Sequence, residues 1–437
     1  MHEAALTLPQ QDTRAEEPVT VGLRNSQHSP WYLLILLPIL AALPGCGPDA
    51  YSESMVYPVR TDPVVTGVGG RELVEPDRPG QLPLLAVKDL QDSRNPFYED
   101  KELKYIDTSK WQSESDKQEL LDVLQDVFGT PANPKVDLIT RETRQLLKLD
   151  EGTLHEGSRL YRLYCLQCHG LTGDGRGPTS KWVNPHPRDY RPGLFKFQSV
   201  KAEGDPRPPR RDDLYRTIHD GVEGTAMQSY NMLPEHELNA IVSYVIHLSI
   251  RGEVESEVFK GAWKEEKDKT FLDPKILARG SVVAFVRGNS SKPGGKVRDV
   301  IEKWRSSQQE ESKIVPGPYS VTDATMKESV QNGYNIFTGR GAVVGGCMEC
   351  HKDFGRRSLY KPDKWATLVR PRDLTKPVYR GGRRPIDMYY RIHSGINGSD
   401  MPPHSNILNS DQIWDVVNFI RALPYPEMRK HLVPPIE

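Results

Sequence analysis

Apolar residues recur at helical spacing in four stretches of this chain. In residues 113–128, Leu120, Leu121, Leu124, Val127 and Phe128 share one helical face, Ser113-x-x-Asp116 reads as a cap and Gly129 as a stop. The segment from Pro234 to Leu248 puts Leu238, Ile241, Val242 and Val245 inside, and that from Ser410 to Leu423 does the same with Ile413, Val416, Val417 and Ile420. Gly295 to Ser312 predicts a helix carrying Val297, Val300, Ile301 and Trp304. Thr153-x-x-Glu156 fits a capping box at the start of a further helix. The run Val282-Val283-Ala284-Phe285-Val286 lacks this spacing and predicts a short strand. The chain is therefore expected to be mainly α.

The pattern also repeats. Leu214-Tyr215-x-x-Ile218-His219-x-Gly221-x-x-Gly224-x-x-Met227 matches Met388-Tyr389-x-x-Ile392-His393-x-Gly395-x-x-Gly398-x-x-Met401 position for position. Pro187-Arg188-Asp189-Tyr190 answers to Pro371-Arg372-Asp373-Leu374, and Gly157-x-x-x-Tyr161 to Gly333-x-x-x-Phe337. Leu233, Leu238, Tyr244 and Leu248 match Leu408, Ile413, Phe419 and Leu423 after a one-residue shift. One fold has been duplicated, with copies at 150–252 and 322–437. The stretch 253–321 reads as a charged insert. Residues 47–149 read as an extended arm with one amphipathic helix, its first part rich in Pro, Gly, Asp and Arg and acting as a tether or a wrapping segment.

Residues 1–46 read as a leader. The apolar run Trp31 to Ala42 is too short for a bilayer span of about 20 residues and has the length of a signal-peptide core. Its ending, Leu43-Pro44-Gly45-Cys46, looks like a bacterial lipobox, with Cys46 as the lipidated residue; a plain signal peptide and an uncleaved anchor stay open. The acidic stretch before Arg24 is unusual for a leader and leaves room for a translation start near Val19 or Val21.

Composition narrows the chemistry. A formal net charge of −1 gives no reason to expect nucleic acid, and 35 Gly with 36 Pro call for abundant loops. Four of the five cysteines fall in Cys165-Leu-Gln-Cys168-His169 and Cys347-Met-Glu-Cys350-His351, and Cys46 is the fifth, so no disulfide framework is available. A bare Cys-x-x-Cys serves zinc or thiol redox chemistry. With His attached it is the pattern of covalent haem attachment, two thioethers and a proximal histidine, here at His169 and His351.

Each copy runs helix, Cys-x-x-Cys-His, long loop, Met, helix, and so resembles the class I c-type cytochrome family, in two copies over roughly half of the chain. The resemblance implies tandem helical domains with loop-rich crevices and two covalently bound haem c groups. It implies a first helix whose glycine packs on an aromatic of the last, Gly157 with Tyr244 and Gly333 with Phe419. It implies Met227 and Met401 as the sixth ligands, 58 and 50 residues beyond His169 and His351. Rivals are His219, His186 and Met232 in the first site, and His393, His404 and Met388 in the second. Two departures stand out: Cys347 follows Phe337 by ten positions where Cys165 follows Tyr161 by four, and Gln228 rather than Pro follows Met227.

Arg188 and Arg372 are candidates for propionate contacts. From Arg356 to Arg384 ten basic residues face two acids, either a solvated loop or a docking face for an acidic partner. The expected function is electron carriage on the exported, periplasmic side of a bacterial membrane, tethered through a lipid at Cys46. Partners would be a quinol-oxidising complex, a terminal oxidase or a soluble cytochrome. A di-haem redox enzyme, peroxidase-like or thiosulfate dehydrogenase-like, and a haem subunit of a larger respiratory complex are the alternatives.

Overall fold

The computed structural model describes residues 51–67, 104–202, 207–266, 269–340 and 346–436. The leader and Cys46 lie outside the described residues. No helix among the described residues is long and apolar enough to cross a membrane.

The arm enters as strand β1 (Val64–Gly67), paired antiparallel with β2 (Lys104–Ile106) so that Val64 faces Ile106. Helix α1 (Glu114–Phe128) follows, its first turn capped by the Ser113 hydroxyl, which accepts from Asp116 N at 3.2 Å. A short helix α2 (Arg141–Leu147) that the apolar pattern did not signal comes next. Helix α3 (Glu151–Tyr164) starts ahead of the expected capping box. Asp150 is its cap, accepting from Thr153 N at 2.9 Å and Thr153 Oγ1 at 2.8 Å, while Glu156 pairs with Arg159. One more turn, α4 (Leu166–His169), carries the first Cys-x-x-Cys-His, and α5 (Arg211–Asp220) and α6 (Glu235–Ala262) complete this copy.

Helix α6 runs 14 residues past the expected Leu248. The extension is buried although it is polar: Arg251 pairs with Glu255 at 3.3 Å, and Glu253 accepts from Lys303 Nζ at 2.6 Å and Trp304 Nε1 at 2.7 Å. A hairpin of β3 (Trp263–Glu266) and β4 (Lys269–Leu272) leads to the single turn α7 (Pro274–Leu277), then α8 (Arg279–Arg287) and α9 (Gly295–Ser307). The strand expected at 282–286 is therefore helix α8. Its fully buried residues, Val282 and Val286, stand four apart on one helical face packed on α1, a pattern that a short continuous apolar run conceals. These valines join Leu124, Tyr244 and Trp304 in one apolar core, so the arm, the first copy and the insert pack as a unit.

The second copy comprises α10 (Met326–Phe337), a two-residue ribbon of β5 (Lys361–Pro362) and β6 (Leu368–Val369), α11 (Pro385–Ser394), α12 (Ser410–Ala422) and a terminal turn α13 (Pro426–Arg429). A second core gathers Phe337, Tyr389, Val417 and Phe419.

Both copies are built on one helix crossing, α3 on α6 and α10 on α12. A Cβ placed on Gly157 would run into the Ala240 carbonyl and lie 2.9 Å from Tyr244 Cβ. On Gly333 it would run into the Asp415 carbonyl and lie 2.8 Å from Phe419 Cβ. The missing side chain is what lets the backbones touch. The aromatics one turn on close the contact, with ring centroids 5.2 Å apart for Tyr161–Tyr244 and 5.3 Å for Phe337–Phe419.

The described part of the arm wraps the first copy. Tyr57 and Tyr244 share a hydroxyl hydrogen bond of 2.7 Å, and Arg60 N donates to Glu255 at 2.9 Å. Asp62 is buried among Arg60 at 2.6 Å, Arg191 at 2.8 Å and Arg176 at 3.6 Å. Burial alone would raise its carboxyl, but the arginines outweigh that and hold it well below the ordinary carboxylate range.

Two predictions follow from these contacts. Gly157→Ala and Gly333→Ala should each cost about 1–3 kcal/mol by overpacking, whereas Gly152→Ala, in the same helix as Gly157 with no backbone in its way, should be neutral or stabilising; thermal unfolding of the three variants checks the contrast. Asp62→Asn, which strands buried arginines, should cost about 3–5 kcal/mol. Because the folded-state value of Asp62 is depressed, its contribution is complete above about pH 4 and is lost as pH falls through the folded value. Cleavage of the arm by an acid-active protease should accordingly rise only below that pH in the parent protein.

Candidate haem sites

Helix α3 ends at Cys165, whose N–H still bonds Tyr161 O at 2.8 Å, so the first motif continues straight from the helix. His169 N bonds Cys165 O at 2.9 Å, closing one turn that brings both thiols and the imidazole to one end of the crossing. Tyr161 ties this turn down by donating to Gly170 O at 2.9 Å. In the second copy the motif follows a longer link and opens as a 3-10 turn, Cys347–Glu349, yet His351 N still bonds Cys347 O at 2.8 Å.

The imidazoles are oriented alike. His169 Nδ1 meets Arg188 O at 3.1 Å, and His351 Nδ1 meets Arg372 O at 3.3 Å. A donor role for Nδ1 leaves Nε2 to face a metal. Burial pushes His169 down to about 4 and lowers His351 too, so both rings are neutral, the form that ligates. The repeated Pro-Arg-Asp motif thus acts through its backbone carbonyl, a role its side chains did not disclose.

The two methionine loops superimpose bond for bond. Val222 N donates to Met227 O at 2.9 Å and Ile396 N to Met401 O at 3.1 Å. Thr225 Oγ1 donates to Val222 O at 2.7 Å and accepts from Met227 N at 3.1 Å; Ser399 Oγ does the same with Ile396 O at 2.8 Å and Met401 N at 3.3 Å. Gly221, Gly224, Gly395 and Gly398 all adopt φ between 71° and 77°, which the tight loop needs. Met227 packs on the first core and Met401 on the second. Sequence reasoning passed over Thr225 and Ser399, although both stand two residues before the methionine and the repeat alignment could have found them.

The rivals are placed differently. His219 is partly exposed and bound to Asp220 at 2.6 Å; Met232 is 81% exposed. His186 Nδ1 meets Pro187 O at 3.0 Å. Met388 is buried in the second core, and His393 and His404 each keep a buried Nδ1 without a partner.

Of the two arginines, Arg188 lies over the Trp365 ring at 3.7 Å, and Arg372 Nε donates to Val378 O at 3.0 Å. Near Arg372 lies Arg380, with a buried unpartnered Nε, and Arg391, which burial lowers to about 10, donates to the Arg380 and Gly382 carbonyls. No carboxylate comes within 4.0 Å of a nitrogen of Arg372, Arg380 or Arg391 among the described residues. Partly buried arginines without a paired carboxylate fit a group that brings its own, as haem does. A cavity of about 840 Å³ touches neither motif; it lies between the arm, α6, α9 and the β5–β6 ribbon, lined by both charge signs.

Fold and site together define c-type cytochrome domains. Residues 152–245 match the family model for cytochrome c oxidase, cbb3-type, subunit III, and residues 330–424 match that for cytochrome c. The chain carries two cytochrome c-type domains in tandem, domains that imply covalently bound haem c and haem-based electron transfer. The search of curated proteins gives no match. Among solved structures, the reducing HAO-like protein complex of Kuenenia stuttgartiensis is similar over 61% of this chain and 95% of that one, at 21% identity and a TM-score of 0.39, too slight a likeness to speak for the fold.

Removing the loop hydroxyls by Thr225→Ala or Ser399→Ala should loosen the corresponding methionine by about 1 kcal/mol. The expected readout is an approximately fivefold tighter binding of added imidazole at that domain.

Proposed function

We propose that this protein is a di-haem c-type cytochrome that passes single electrons between respiratory redox partners, with His169 and Met227 ligating one haem and His351 and Met401 the other. The observation that carries the reading is the pair of congruent methionine loops, each braced by a threonine or serine hydroxyl and seated on its own core. Loops built twice to hold a thioether support a closed, six-coordinate iron in both domains and speak against a substrate-binding redox enzyme.

Each haem would be fixed by Cys165 and Cys168 or by Cys347 and Cys350, and would supply a one-electron Fe(II)/Fe(III) couple. The chain's own work is to hold the ligands still. The Arg188 and Arg372 carbonyls fix ring tautomer and orientation, and the core-seated methionines limit movement between oxidation states. The side chains of Arg188 and Arg372, with Arg380 beside the latter, would counter the propionates. The apolar run ending at Cys46 supports export and a lipid tether to the periplasmic side of a bacterial membrane. A quinol-oxidising complex, a terminal oxidase or a soluble cytochrome would serve as donor and acceptor.

A second reading, a haem subunit of a larger respiratory assembly, is favoured by one finding: the model matched by residues 152–245 describes a subunit of cbb3-type cytochrome c oxidase. Co-purification from detergent-solubilised membranes separates it from a free carrier.

Absorption and low-temperature EPR of the oxidised protein test ligation. Two low-spin haems with methionine-to-iron charge-transfer absorption are expected, with Met227→Ala and Met401→Ala each removing one contribution and His219→Ala removing neither. A high-spin or bis-histidine haem in the parent protein would overturn the carrier assignment.

A further inference from the structure

Trp365 belongs to neither Cys-x-x-Cys-His motif and to no repeated position, yet it touches both sites. On one side its indole N–H donates to Asp189 O at 3.1 Å, and the Arg188 guanidinium covers its ring at 3.7 Å. Arg188 is the residue whose carbonyl orients His169. On the other side stands Gly398, three residues before Met401. A Cβ there would run into the indole's six-membered ring, whose Cε3 lies 3.3 Å from that position, and Lys364 N donates to Gly398 O at 2.9 Å.

The indole itself is held firmly. It is 9% exposed, and its backbone N–H and that of Thr367 both donate to Asp363 Oδ1, at 3.1 and 3.0 Å. Asp363 in turn pairs with Lys196 of the first copy at 2.8 Å, and burial of that carboxylate keeps the pair from solvent. A reciprocal contact exists without an aromatic. A Cβ on Gly224, three residues before Met227, would come within 2.7 Å of Val378 and 3.6 Å of Arg372, whose carbonyl orients His351. The methionine loop of the first copy leans directly on the histidine-orienting loop of the second, and that of the second reaches its counterpart in the first through Trp365.

We propose that Trp365 is a positioning residue that locks the His169 loop of the first site to the Met401 loop of the second, so that the electronic character of one site depends on the ligand loop of the other. The inference rests on the reading of both as haem sites. Its physical basis is that a close-packed, rigid indole cannot yield to one neighbour without moving the other. The carbonyl hydrogen bond to Nδ1 sets how strongly a ligating histidine donates to its metal. Loss of the indole N–H frees Asp189 O, leaves the adjoining peptide that carries Arg188 O less firmly held, and so weakens the bond to His169 and raises the potential of the first site. Loss of the ring removes the wall behind Gly398 and loosens Met401.

The test is redox titration with optical detection on the full haem-loaded chain, comparing the parent with Trp365→Phe and Trp365→Ala; the Met401→Ala spectrum assigns the two haems. Trp365→Phe lacks both the indole N–H and the Cζ3–Cη2 edge that meets Gly398, so it should raise the first site's potential, by about the 59 mV that a tenfold change means for a one-electron couple, and weaken the methionine charge-transfer band of the second site. Trp365→Ala should abolish that band. Should the alanine variant fail to fold, the phenylalanine variant decides alone. Unshifted potentials and intact bands in the variants would overturn the coupling while leaving the His/Met reading in place. A parent protein without methionine bands would instead overturn both.

Discussion

Everything in each haem domain hangs on one close helix crossing. Gly157 lets α3 rest against the backbone of α6, and Gly333 does the same for α10 and α12. The first helix of each pair delivers the Cys-x-x-Cys-His motif, and the last is entered from the methionine loop. The crossing therefore fixes how far His169 stands from Met227 and His351 from Met401, the pairs proposed as axial ligands. A wider crossing would not merely soften a core; it would move each histidine relative to its methionine, the separation that the proposed His/Met ligation needs held constant for low-reorganisation electron transfer.

Around this apolar centre the chain uses buried charge as a fastener. Asp62 among its arginines, Glu253 between Lys303 and Trp304, and Asp363 with Lys196 each join segments that are far apart in sequence. Such pairs gain little in net stability over apolar contacts, and their worth lies in geometry, because a wrong register leaves a charge stranded. The arm, the insert and the second copy are all set in place this way, whereas within a copy the helices rely on apolar packing and aromatic contacts.

That division explains what the sequence discloses. The helices at 114–128, 295–307 and 410–422 announce themselves because an apolar stripe faces a core, and at the first of them the Ser113 cap marks the start. The repeat is legible because glycines, aromatics and ligand-loop residues are tied to positions that geometry dictates. Helix α6 beyond Leu248 is not legible, since Arg251, Glu253 and Glu255 look like solvent-facing residues until their partners are known. Val282 to Val286 misleads for the opposite reason: a helix half-covered on several sides shows an unbroken apolar run, and strand and helix then read alike. At the sites, residue types gave the thiols and histidines outright. The carbonyls of Arg188 and Arg372 stay hidden because every residue has one, and the position of Trp365 depends on how the two copies meet.

The stitching of the arm has a further consequence for the order in which the molecule can be put together. Tyr57 and Arg60 bond to Tyr244 and Glu255, partners 187 and 195 residues downstream. The earliest part of the wrap can close only after almost the last helix of the first domain has emerged and formed, and loop closure over that span is slow. Cys165, Cys168 and His169 lie between these two halves of the clasp. An enzyme attaching a prosthetic group to them would meet a half-assembled domain, its ligand-bearing turn reachable and its outer strap still undone. The arm is then the latch that shuts after loading.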